Sequence, residues 1–109
     1  MSEKIFTVIY FHEENDYMYS PVVIASFTSQ IEAKILMLQK YQEKVKELCQ
    51  NKSKDDYDFY FDNSHAVISD ENDNSYEFEI FENVVKHLKY KSLEKEYNDL
   101  IKSLEQWND

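Results

Sequence analysis

The chain has 109 residues, nine Tyr, seven Phe, one Cys and a net charge of −10, with no Gly and no Arg. Its length fits one domain with a real core, spanning residues 1–109, and its aromatic content excludes a disordered acidic tail. Walker-type phosphate loops and the Rossmann fingerprint need Gly where backbone nears phosphate, so both are excluded, as is the bidentate Arg fork.

Lone Cys49 cannot close an internal disulfide, which favours a reducing compartment. No apolar run approaches the ~20 residues that span a bilayer. Met-Ser-Glu-Lys leads straight into a strand-like run, so no secretory leader is expected. Gly, Arg, Pro and Ala are scarce, while Lys, Asn, Ile and Tyr are common. That bias suits an AT-rich genome, so the expected setting is the cytoplasm of a bacterial host cell.

Ile5 to His12 reads as a strand, rich in β-prone apolar residues. Glu13 to Asp16 break it, and Asn15 and Asp16 can take the left-handed turn conformations that Gly would otherwise supply. Pro21 suits the start of a second strand, Val22 to Phe27, giving a hairpin. Ser29-Gln30-Ile31-Glu32 fits a capping box. Ile31, Ile35, Leu38, Tyr41 or Gln42, Val45 and Leu48 follow at helical spacing, so a helix is expected over 29–51.

Tyr57 to Phe61 reads as a third strand and His65 to Ser69 as a short fourth. Asp70 to Ser75 form a loop. Tyr76 to Glu82 alternate, with Tyr76, Phe78 and Ile80 on one face and Glu77 and Glu79 on the other, as in a strand with one wet face. Asn83 to Lys91 fit either a helix or a continued strand. From Ser92, the series Leu93, Tyr97, Leu100 or Ile101, Leu104 and Trp107 is helical. The plan is β-β-α-β-β-β-α: an α+β domain whose antiparallel sheet of four to five strands is covered by two helices.

The hairpin running into Phe27-Thr28-Ser29-Gln30-Ile31-Glu32-Ala33 resembles a group of small bacterial and phage β-β-α proteins. That resemblance implies the fold and no activity.

The charge is concentrated. Asp55, Asp56, Asp58, Asp62, Asp70, Glu71, Asp73, Glu77, Glu79 and Glu82 lie within 55–82, which holds no Lys. The remaining residues carry equal numbers of acids and lysines. A localised negative field repels nucleic acid and membranes and attracts basic protein surfaces. Direct nucleic-acid binding would need clustered cations, which are missing.

Other constellations are weaker. Asp70, Asn72 and Asn74 occupy positions 1, 3 and 5 of an EF-hand-like run. Ser75 stands where the sharp turn needs Gly, and Phe81 where a bidentate Glu belongs, so a solvated hairpin loop is expected. His12, His65 and His87 show no metal-ligand spacing, and no metal or cofactor is expected. Cys49 follows Leu48 on the apolar stripe, where an inert buried thiol is usual. A glycosidase-like carboxylate pair would need a pocket that raises one pKa, and Glu77 and Glu79 read as wet.

The acidic face itself is the candidate site. Alternate strand residues repeat every ~6.6–6.8 Å, so carboxylates at 77 and 79 match the scale of neighbouring phosphates. Acids from neighbouring strands and from the 70–73 loop would extend the row on a common exposed face. Tyr57, Tyr60 and Phe81 would add aromatic contacts of the kind that anchor interfaces.

Tyr57-Asp58-Phe59-Tyr60-Phe61-Asp62 and Tyr76-Glu77-Phe78-Glu79-Ile80-Phe81-Glu82 resemble the acidic-aromatic sheets of small phage anti-defence proteins and nucleic-acid mimics, including anti-CRISPR and anti-restriction types. The resemblance implies a non-enzymatic inhibitor of a basic nucleic-acid-binding protein: a nuclease, a CRISPR effector or a regulator. The alternative is an interaction or homodimeric structural module using exposed aromatics or an edge strand.

Overall fold

The computed structural model describes residues 3–107. Strand β1, Lys4–Glu14, turns through Asn15 and Asp16 into the two-residue β2, Tyr17–Met18. Both turn residues have positive φ, 47° and 68°. Two successive left-handed residues between a closely paired Glu14 and Tyr17 make the tight hairpin whose twist matches the strands.

Strand β3, Val22–Phe27, pairs antiparallel with β1 along Phe6 to Tyr10. The register shifts between Val8 and Ile9, leaving Ile24 as the extra residue of a bulge. Helix α1, Gln30–Leu48, begins at Ser29, whose hydroxyl accepts from the Glu32 amide at 3.3 Å. This is the hydroxyl half of the expected capping box.

After a short 3₁₀ turn at Lys54–Asp56 come β4, Tyr57–Phe61, β5, His65–Asp70, and β6, Ser75–Val84. Strand β6 runs along the whole of β1, from Glu13↔Ser75 to Lys4↔Val84. The sheet order is β2-β1-β6-β5-β4, with β3 also on β1, and every pairing is antiparallel. The α+β class is the one expected, and the element order matches apart from the short β2, which the sequence reading does not include and which makes the sheet six-stranded, not four- or five-stranded. The ambiguous residues Asn83 and Val84 continue β6 because β1 supplies a partner for them.

Alternation divides the sheet into two faces. Phe6, Val8, Ala66, Ile68 and Phe78 point toward α1 and form the core with Ala33, Met37 and Tyr41. Val8, Met37 and Ile68 are fully buried, each worth roughly 1.5–3 kcal/mol.

The expectation of two covering helices is corrected. Among the described residues only α1 covers the sheet. Helix α2, Leu93–Trp107, is exposed along its length except at Glu96. It begins at Ser92, whose hydroxyl accepts from the Lys95 amide. Its apolar period is the one the sequence shows, but helical period cannot say what a stripe packs against. Among the described residues no helix is long and apolar enough to cross a membrane.

Candidate functional site

Among the described residues, nothing is layered over the face turned away from α1. Register places on it Ile5, Thr7, Ile9 and Phe11 of β1, with Glu77, Glu79 and Phe81 of β6. His65 and Val67 of β5 sit beside Glu79 and Glu77, and Asp58 and Tyr60 come from β4. All are half-buried or exposed. No lysine of the sheet falls on this side. The signal is parity: the only lysine within these strands, Lys4, has the even register of Phe6 and Val8.

Asp62 joins the rim just past β4. Its carboxylate accepts from the Tyr60 hydroxyl at 2.8 Å and from the Ser64 amide at 2.9 Å. The Ser64 donation first, then the Tyr60 hydroxyl, hold its pKa below the ordinary carboxylate value. The reciprocal bond to Asp62 pushes the Tyr60 hydroxyl up.

Six of the expected site residues therefore come together: Asp58, Tyr60, Asp62, Glu77, Glu79 and Phe81. The other six acids do not, which corrects the expectation of one continuous acidic face. Glu82 has the opposite parity and pairs with Lys4 at 2.8 Å. Asp55 and Asp56 belong to the 3₁₀ turn, where Asp56 accepts from the Ser53 amide at 3.1 Å. Glu71 and Asp73 are exposed in the β5–β6 loop, Asp73 with φ 62°.

Asp70 is turned inward, its side chain only 5% exposed. One oxygen accepts from the backbone amides of Asn72 and Asn74, and the other from the Asn74 side chain. Desolvation alone would raise its pKa. The Asn74 and Asn72 donations, with Lys52 nearby, outweigh that and hold it low. The EF-hand-like run is thus a hairpin loop closed by Asp70 itself. Lys52, Asp56, Asp70 and Glu71 line a polar hollow there, and its lysine separates it in character from the uncovered face.

One grouping escapes sequence spacing. His65 lies directly opposite Glu79, and its Nε2 meets the Glu77 carboxylate. One potential ligand atom from each of His65, Glu77 and Glu79 lies within 4.8 Å of the others. One imidazole and two carboxylates can hold a divalent cation with open positions; they also form a self-contained charge cluster. The signal that finds them is the β5–β6 register, not a motif. His12 instead stacks between Tyr19 and Tyr76, and His87 is exposed in the segment before α2. Cys49 is half-buried at the α1 C-cap, not enclosed on the stripe as expected.

Comparison with protein-family models, with curated proteins and with solved structures gives no match for this chain.

Proposed function

We propose that the protein is a non-enzymatic binding protein of the bacterial cytoplasm, which docks its uncovered sheet face on the basic surface of a nucleic-acid-handling protein and blocks substrate access. The observation that carries this reading is the makeup of that face. Asp58, Asp62, Glu77 and Glu79 share it with Tyr60 and Phe81, and no sheet lysine offsets them.

The physical support is threefold. Like charge keeps two copies of this face from stacking on each other, so the apolar Ile9, Phe11 and Val67 between the acids are available to a cationic partner. Glu77 and Glu79 point the same way at a spacing of ~6.6–6.8 Å, near that of successive phosphates. Tyr60 and Phe81 flank the acids with the residue types that concentrate binding energy. The footprint is smaller than the full acidic segment: the 70–73 loop and Glu82 lie outside it.

Competition tests it. A partner captured from bacterial lysate in 50 mM salt should be released by duplex DNA or guide RNA, since both would claim one channel. Capture that nucleic acid leaves undisturbed would remove the mimicry. The alternative, a homodimeric module without mimicry, draws on a different surface, α2.

A further inference from the structure

The side of the sheet under α1 is only partly filled. Helix α1 packs on β1, β3, β5 and β6, and β4 meets it only at the margin. There the Phe61 ring stands 5.9 Å from that of Tyr41, while Phe59 and Phe61 remain 39% and 59% exposed. The flank of α1 that looks toward β4 carries Ile31, Ile35 and Leu38, all exposed. Between flank and strand runs an open apolar groove of about 530 Å³, lined by Ile35, Leu38, Tyr41, Val45 and Phe61.

Helix α2 has the complementary problem. Leu93, Tyr97, Leu100, Ile101, Leu104 and Trp107 lie at i, i+4, i+7, i+8, i+11 and i+14, one continuous stripe, and are 38–85% exposed. The groove lacks a helix, and the helix lacks a groove. We propose that α2 of one molecule lies in the α1–β4 groove of a second copy, and the reverse, forming a two-fold dimer by exchange of C-terminal helices.

Four observations favour a second copy as occupant. Strand β6 continues past β5, since Phe81 to Val84 pair with β1 alone, so the chain leaves the sheet beyond the end of β4. The segment 85–92 then carries α2 outward as an arm. The molecule measures 59 × 41 × 17 Å with a radius of gyration of 19.9 Å, against about 13 Å for a compact chain of this length. An arm held off its own domain is the geometry from which identical elements exchange.

Area agrees. A 15-residue helix is about 22 Å long. Six large side chains per helix at roughly 100 Å² each, counted on both surfaces of two dockings, bury on the order of 2,000 Å². A stable specific interface needs about 1,600 Å². Charge agrees as well. Helix α2 is net acidic, with Glu94, Glu96, Asp99 and Glu105 against Lys95 and Lys102. Helix α1 is net basic, with Lys34, Lys40, Lys44 and Lys46 against Glu32, Glu43 and Glu47. The acidic arm is steered to the net basic α1 and away from the uncovered acidic face.

The test is the mass of the full chain in solution, with two variants that each spoil one half of the contact. Leu100→Glu/Leu104→Glu spoils the arm, and Leu38→Glu spoils the groove. All three positions are exposed, so circular dichroism should show both variants folded. The wild-type chain of 13.2 kDa is expected to run as a dimer at micromolar concentration, in 1 M salt as well as 0.1 M, because apolar burial is not screened. Each variant alone should dissociate at least 100-fold more readily. Mixed together, they should recover a heterodimer, since one arm and one groove remain intact. A wild-type monomer overturns the proposal, whether α2 is free or folded onto its own groove. So does a dimer unaffected by either variant, or a mixture that recovers nothing.

Discussion

His65 on β5 and Glu79 on β6 are direct antiparallel partners, and Glu77 meets the same imidazole from two residues away. Among the described strand residues, this imidazole is the only basic side chain on the uncovered face. Its substitution should therefore separate stability from binding. His65→Ala removes the imidazole partner of the Glu77 carboxylate and is expected to cost about 0.5–1 kcal/mol. The same change frees the Glu77 carboxylate from its imidazole partner, so a basic partner should bind more tightly. Denaturant melts and titration calorimetry with the captured partner read the two effects. A parallel loss of stability and affinity would mean that the face acts through its shape, not its charge.

Asp70 is the structural acid of the segment. Asp70→Ala removes an acceptor of three hydrogen bonds in the β5–β6 loop and should cost about 2 kcal/mol, as bonds to a charged group do. Asp70→Asn keeps part of the acceptor set and should cost less. The pH dependence follows from the direction of the shift. The folded pKa lies below the ordinary value of 3.8. The contribution is thus fully present above that value and is lost as pH falls through the lower folded one. Wild type should lose stability relative to Asp70→Asn only below about pH 4. Urea melts between pH 2.5 and 7 measure the difference.

The β1–β2 turn offers a stabilising change. Asp16 holds φ 68° with a side chain that gains nothing from it in the described bonds. Asn-Gly is the preferred pair for two left-handed turn residues. Asp16→Gly should raise stability by about 0.5 kcal/mol, read as a higher urea midpoint at unchanged slope.

Core and arm should respond in opposite ways. Met37 is fully buried against the sheet, so Met37→Ala is expected to cost 2–5 kcal/mol, at the level of other large-to-small core changes. Removing 93–107 deletes no buried residue. The shortened chain should keep its sheet signature in circular dichroism and lose only self-association.

Much of this molecule could be read from residue order alone. The left-handed potential of Asn15 and Asp16, the Ser29 cap and the alternation from Tyr76 to Glu82 each name a local structure, because each depends on neighbours in sequence. The two misread features depend on partners distant in sequence. The acidic segment looked like one face because its strands share a charge. Glu82 differs in parity from Glu79, however, and Asp70 turns inward to close its own loop. Likewise the period of α2 announces an apolar stripe without saying which sheet, or whose, will cover it. His65 gains its place beside Glu77 and Glu79 only from the β5–β6 register, which single-chain spacing does not encode.

Charge reversal on the uncovered face tests the central claim most directly. Wild type and Glu77→Lys/Glu79→Lys, immobilised side by side, would be exposed to the same bacterial lysate at low ionic strength, and the retained proteins identified. Wild type should hold a cationic nuclease, effector or regulator that the doubly reversed chain releases at least tenfold more readily, with the gap closing as salt rises. Equal retention by both chains, or no cationic protein on either, would contradict it.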